Sequence, residues 1–126
     1  MKEKLFRFMS VLGVISLFVV GVNAAGSSDD CVLNKGQGSA ETSSVGVSKS
    51  ANWNAKGYSD STYGTYVYVY AAWTGWPHSC EYIGSVRANQ YLNNKVVQQT
   101  DSIYYLALKS MNTSNKSHAY GYIKAN

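Results

Sequence analysis

At 126 residues with a net charge of +4, 14% charged residues and two cysteines, the chain has room for one small domain and not for two. Its lysines are spread singly, without the basic stripe that marks a nucleic-acid-binding surface. Eleven tyrosines and three tryptophans, each able to bury about 150–250 Å², exceed what a core of this size must contain, so some rings are expected on the surface.

The chain opens Met1-Lys-Glu-Lys-Leu-Phe-Arg7, runs apolar over residues 8–22 and reaches small residues at Val22-Asn-Ala-Ala25. That layout is a secretory signal peptide over residues 1–24, cut after Ala24. Cleavage removes Lys2, Lys4, Arg7 and Glu3 and lowers the net charge from +4 to +2. A retained anchor is the competing reading. The apolar run is interrupted by Ser10, Gly13 and Ser16 and falls short of the roughly 20 residues that span a bilayer, so the expectation is a secreted chain with no stable membrane span after cleavage. Asp29-Asp30 ahead of Cys31 is unlike a lipobox.

Residues 25–44 are rich in Gly, Ser and Asp and read as a flexible N-terminal segment, tied down at Cys31. In an exported chain Cys31 and Cys80 are expected to form one disulfide. Closing a loop of about 50 residues would add roughly 4 kcal/mol in the chain-entropy model. Free thiols or an intermolecular link are the alternatives.

A β domain is expected over residues 45–126. Val45-Gly-Val-Ser-Lys-Ser-Ala-Asn-Trp53 alternates as a strand, and Asn54-Ala-Lys-Gly-Tyr-Ser-Asp-Ser61 has turn composition. Residues 65–73 are almost all β-branched or aromatic, with Val67, Val69 and Ala71 on one face and Tyr66, Tyr68 and Tyr70 on the other. Such a run is expected to be a central strand. Its tyrosine ladder reads either as cross-strand packing or as a stacking surface. Gly75-Trp-Pro-His-Ser79 ends it, because Pro77 cannot donate to a ladder. Residues 81–92 read as a third strand and Asn93-Asn-Lys95 as a turn. A short strand is expected over 95–100, another through Ile103-Tyr-Tyr-Leu-Ala-Leu-Lys109, and a last one at His118-Ala-Tyr-Gly-Tyr-Ile-Lys124. The whole is an all-β fold, a small antiparallel β-sandwich of five to six strands stapled by one disulfide.

Chemistry-bearing residues are sparse. His78 near Glu81 offers an acid/base pair or simply a solvated loop, and neither His78 nor His118 sits in a metal-ligand spacing. No phosphate-cradling glycine motif occurs. Asn112-Thr-Ser and Asn115-Lys-Ser match the glycosylation sequon. These residues imply neither an enzyme nor a cofactor nor a metal. The candidate ligand-binding residues are aromatic: Trp73, Trp76 and Tyr82 with His78, around the Pro77 turn, as anchors for a partner or for flat sugar faces. The competing reading makes Trp73 core and Trp76 a cap over the disulfide.

With the strands laid out, five segments resemble the lactococcin 972 family of secreted bacteriocins. They are Trp53-Asn-Ala-Lys-Gly57, Tyr66-Val-Tyr-Val-Tyr70, Gly84-Ser-Val86, Tyr105-Leu-Ala-Leu-Lys-Ser110 and Asn115-Lys-Ser-His-Ala-Tyr-Gly-Tyr122. The resemblance covers roughly residues 53–122. The Cys31–Cys80 pair and the Ser/Gly lead-in depart from the family, and its histidine before the Ser-x-Val strand is missing unless His78 replaces it. The resemblance implies a secreted antibacterial protein that acts without catalysis on the envelope of related bacteria, by engaging a cell-wall precursor such as lipid II. Two other readings rest on the residues alone. One is a non-toxic module for envelope glycan, using exposed Tyr and Trp. The other is a self-associating β protein, since residues 62–73 carry no charge.

Overall fold

The computed structural model describes residues 26–73, 79–112 and 114–126. The expected signal peptide, the Pro77 turn with Trp76 and His78, and Thr113 of the first sequon lie outside them. Seven strands run through the described residues: β1 (Ser28–Leu33), β2 (Ser39–Glu41), β3 (Val45–Gly57), β4 (Thr65–Ala72), β5 (Ser79–Val86), β6 (Tyr91–Ser110) and β7 (Ala119–Ala125). All pairings are antiparallel, in the order β1-β7-β3-β6-β4-β5, with β2 on β6. The all-β, antiparallel expectation holds, with seven strands in place of five to six.

The 20-residue β6 explains the architecture. At about 3.3 Å per residue it would extend roughly 65 Å, far beyond a domain whose radius of gyration is near 13 Å. It therefore serves two layers. Its first half pairs with β3 through Tyr91–Val97, while its second half pairs with β4 from Ile103 to Ser110 and with β2 through residues 107–109. Register shifts in β3 between Val45 and Ser50 mark the bend. The hydrogen-bonded path never breaks, so the two packed layers are halves of one folded sheet.

Alternation fills the space between them. From the first layer come Leu33, Ala51, Trp53, Ala55, Ala119, Ile123 and Ala125. From the second come Val67, Val69, Val86, Tyr104, Leu106 and Leu108. The first layer's inner face is small around Trp53 and Ile123, which leaves room for the leucines of β6. A Cβ on Gly121 would overlap Leu106. The ring of Tyr82 lies on that of Trp53 at 4.6 Å.

Several expectations need correction. Residues 25–44 hold β1 and β2: Asp29, Cys31 and Leu33 align with Ile123, Gly121 and Ala119 on the inner face, so the segment adds a strand to the edge of β7 despite its Gly/Ser composition. β3 runs on through the expected turn at 54–57, because Ala55 and Gly57 keep the inward alternation begun by Ala51 and Trp53. Asn93-Asn94-Lys95 is strand, opposite Asn54, Trp53 and Asn52. The turn falls earlier, at residues 87–90, where Asn89 takes φ 64° and Gln90 N–H donates to the Arg87 carbonyl at 3.0 Å.

The expected disulfide is absent: Cys31 and Cys80 are both free. Cys31 lies on β1 and turns inward, whereas Cys80 lies on β5, at the other end of the strand order, and is exposed on an outer face. A disulfide requires Cβ atoms about 3.5–4.5 Å apart and pointing at one another. Loop closure alone said nothing of that geometry.

Candidate binding face

The outward side chains of the second layer form an aromatic shelf. On β4, Tyr66, Tyr68 and Tyr70 alternate with the buried Val67 and Val69. Residues two apart on a strand stand about 6.6–7 Å apart, and the rings follow suit: Tyr66 to Tyr68 is 6.1 Å and Tyr68 to Tyr70 is 6.3 Å between centroids. The register with β6 places Tyr105 beside Tyr70, Ala107 beside Tyr68 and Lys109 beside Tyr66. Tyr70 and Tyr105 stack at 4.6 Å with 14° between their planes. On the other side Ile83, 64% exposed, stands beside Tyr68, and Cys80 beside Tyr70.

The shelf is partly open to solvent. Tyr66 is 38% exposed, and Tyr68, Tyr70 and Tyr105 are half-buried by one another. Burial, with smaller contributions from Cys80, Tyr68 and Glu41, pushes the Tyr70 phenol above its usual value. Burial likewise raises Tyr105, helped by Glu41, Tyr70 and Cys80. Both phenols therefore stay protonated well above neutral pH and remain O–H groups. A flat, ring-lined surface bearing phenolic O–H groups, with Lys109 beside Tyr66 and Glu41 beside Ala107 as its charged margin, suits the apolar faces and hydroxyl rims of sugars.

Of the residues expected around the Pro77 turn, the two that are described, Trp73 and Tyr82, do not share one exposed surface. Trp73 is 48% exposed just past the end of β4. Tyr82 is not exposed beside it: unbroken alternation with Gly84 and Val86 sets it opposite the buried Val69 with its ring on Trp53, and the irregularity between Tyr82 and Cys80 is what turns Cys80 outward. Trp76 and His78 lie outside the described residues. Sequence reasoning left Tyr105 unassigned, although the alternation of Ile103, Tyr105 and Ala107 against Tyr104, Leu106 and Leu108 carried the signal. Ile83 was placed on a face but not beside Tyr68, which only the register reveals.

The other polar cluster involves His118. Its Nδ1 lies 2.6 Å from Asp60 Oδ1, its ring 4.1 Å from that of Tyr58, and Lys35 Nζ is 3.8 Å from Asp60 Oδ2. The hydrogen bond from His118 holds the Asp60 carboxyl below its usual range. The main-chain N–H of His118 donates to Ser61 Oγ at 3.0 Å, and that hydroxyl donates to the Tyr63 carbonyl. The cluster thus ties the β3–β4 connection to the start of β7. Among the described residues no group of three or more His, Cys, Asp or Glu is placed to hold a metal ion, and no helix is long and apolar enough to cross a membrane. No family model, curated protein or solved structure matches this chain.

Proposed function

We propose that the protein is an exported, non-catalytic binding protein of the bacterial envelope, and that its tyrosine shelf holds a glycan of the cell wall. The observation that carries the reading is the outward row Tyr66–Tyr68–Tyr70 joined to Tyr105 by a stacked pair. Export rests on the charge and hydropathy layout of residues 1–24. The test is a pull-down on purified peptidoglycan together with a glycan array. Tyr68→Ala should weaken retention about three- to tenfold, the equivalent of one ring contact, with the circular-dichroism spectrum unchanged. Retention of Tyr68→Ala and Tyr66→Ala at the level of the unaltered protein would refute the shelf as the site.

A second reading is antibacterial: a bacteriocin-like protein that engages a wall precursor such as lipid II in related bacteria. It is favoured by where the family-like segments lie. Trp53–Gly57 ends β3, Tyr66–Tyr70 is the middle of β4, Gly84–Val86 ends β5, Tyr105–Ser110 ends β6, and Asn115–Tyr122 leads into β7. The resemblance thus spans five strands of one folded sheet instead of clustering in a single loop. Growth inhibition of related strains by the purified mature protein, with precursor retained in a binding assay, supports this reading. Wall binding without inhibition leaves the glycan module alone.

A further inference from the structure

The outer face of the first layer, across the fold from the shelf, has a different chemistry. Register aligns Lys95 of β6, Asn52 of β3 and Lys124 of β7 in one row. Four residues along the strands, Tyr91, Lys56 and Tyr120 form a parallel row, and Asn93, Asn54 and Tyr122 lie between the two. All point away from the core, since their neighbours Ala51, Trp53, Ala55, Ile123 and Ala125 are buried. With strands about 4.8 Å apart, Lys95 and Lys124 sit roughly 10 Å from each other, and Lys56 stands about 13 Å along β3 from their row. Among the described residues none of these three lysines has a carboxylate within ion-pair distance. Asp30 is the acid that the β1 register brings to the grid, and the Tyr120 hydroxyl donates to it at 3.1 Å. Lys56 stands 5.8 Å from the Tyr58 ring. The Asn126 amide donates to Asn52 Oδ1 at 3.2 Å and Ser50 Oγ at 2.9 Å, fixing the amide side of the first row.

We infer that this lysine–asparagine–tyrosine face binds a polyol-phosphate polymer, an anionic chain with one phosphate per hydroxylated repeat. Three cations spaced about 10 Å or more apart on a flat surface match charges spaced along a chain, and one small anion cannot reach them together. Between the cations stand amides and phenols, which donate to and accept from hydroxyls. Nucleic acid carries its charge far more densely, about one phosphate per 1.7 Å of duplex axis, and three lysines with an acid at their border match it poorly. The face is independent of the tyrosine shelf, so either can fail while the other stands.

Biolayer interferometry of the mature protein on immobilised poly(glycerol phosphate) tests this, with neutral dextran and a single-stranded oligonucleotide of equal phosphate number as comparison surfaces. Expected is saturable binding to poly(glycerol phosphate), with log affinity falling against log salt at a slope between zero and about −2, the latter being the single-strand nucleic-acid value for three neutralised phosphates at roughly 0.7 each and an upper bound for a chain of sparser charge. The double variant Lys95→Gln/Lys124→Gln should weaken it at least tenfold and bring the slope to within about 1 of zero. The charge-matched double variant Lys35→Gln/Lys116→Gln should bind within twofold of the unaltered protein. Circular dichroism and thermal melting establish that each variant is folded. Equal losses in the two double variants would overturn the inference in favour of net charge alone. So would oligonucleotide binding as tight as that of the polymer, or no polymer binding at low salt by the unaltered protein.

Discussion

Replacing Gly57 with alanine is the sharpest test of how the two layers are joined. Gly57 ends β3 against the turn between β5 and β6, and a Cβ there would collide with the main-chain carbonyl of Arg87. A flexible side chain in the way can rotate aside, but a carbonyl held in a turn moves only with its turn. That turn is clamped to β3 twice: Gly57 N–H donates to the Gln90 carbonyl at 2.9 Å, and Asn89 N–H donates to the Gly57 carbonyl at 2.9 Å. Relieving the overlap lengthens or breaks both bonds, at about 0.5–1.5 kcal/mol each. Distortion of the buried end of β3 adds a cost of the overpacking kind, about 1–3 kcal/mol. Against this, alanine restricts the unfolded chain and returns about 0.4–1 kcal/mol. The net expectation is a loss of about 1–5 kcal/mol, centred near 3, and at that centre a melting temperature lower by roughly 12–24 °C for a domain near 100 residues. Urea denaturation followed by circular dichroism and by tryptophan fluorescence gives the number. The internal comparison is Gly121→Ala, where the obstacle is a terminal methyl of the buried Leu106, a side-chain atom that can give way without moving main chain, and the loss should be smaller. A Gly57→Ala protein within 0.5 kcal/mol of the unaltered one, or less destabilised than Gly121→Ala, would refute the clamp.

Three further outcomes follow from ionisation and from the cysteines. Tyr70, Tyr104, Tyr105 and Tyr120 all have phenols raised above the ordinary 10.0, chiefly by burial, with Tyr104 and Tyr120 each pushed up to about 12. The folded state therefore holds these protons more tightly than the unfolded chain. Their contribution to stability is complete below pH 10 and is lost as pH rises through about 12. Absorbance at 295 nm should show at least four of the eleven tyrosines ionising late, together with loss of β structure, and a single transition near pH 10 with the fold intact would contradict it. Asp60 has the opposite sign: its value is held below 3.8 by His118, so its contribution is present above 3.8 and is lost as pH falls through the depressed folded value. Asp60→Asn should flatten the acid limb of a melting-temperature profile, and an unchanged limb would remove the pair from the account. Both thiols should react with Ellman's reagent in denaturant. In the native state only the exposed Cys80 should react quickly, because burial, with Asp29, Asp30 and Glu41 nearby, pushes the Cys31 thiol up. Reducing agent should leave the melting temperature unchanged, and a drop of several degrees would restore the disulfide.

The period-2 pattern made much of this fold legible. β4 was readable almost to the residue, because Val67 and Val69 against Tyr66, Tyr68 and Tyr70 leave no competing period. β7 and the second half of β6 were readable for the same reason. The continuity of β6 was not, since Asn93-Asn94-Lys95 has the composition of a turn and becomes strand only because Asn54, Trp53 and Asn52 lie opposite. β1 was hidden by its small and acidic residues: a strand at the edge needs one apolar anchor, here Leu33, and takes the rest of its support from β7. The candidate site was half legible. The ladder on β4 was visible, but the partner that turns it into a shelf, Tyr105, comes from a strand some 35 residues later. Long-range register brings them together, and no local window contains it. Tyr82, expected on the surface, shares the inward face of Gly84 and Val86 and packs against the core, while the one-residue irregularity in β5 turns Cys80 outward.

The arrangement also bears on how such flat faces bind at all. Neither outer face is a cleft, so neither encloses a ligand or strips it of water on all sides, and each contact is weak. What favours them is rigidity. The outward residues of β4 and β7, and those of β3 from Asn52 to Lys56, are flanked in sequence by buried ones, such as Val67 and Val69 beside Tyr68, or Ala51 and Trp53 beside Asn52. The rings and amides are therefore largely ordered before a ligand arrives, which reduces the side-chain entropy lost on binding, about 0.5–1.5 kcal/mol per immobilised side chain. A polymer that meets several such positions together gains from effective concentration after the first contact. Flat, pre-ordered faces of this kind select for repeating ligands over small ones, and both surfaces of this folded sheet are built that way.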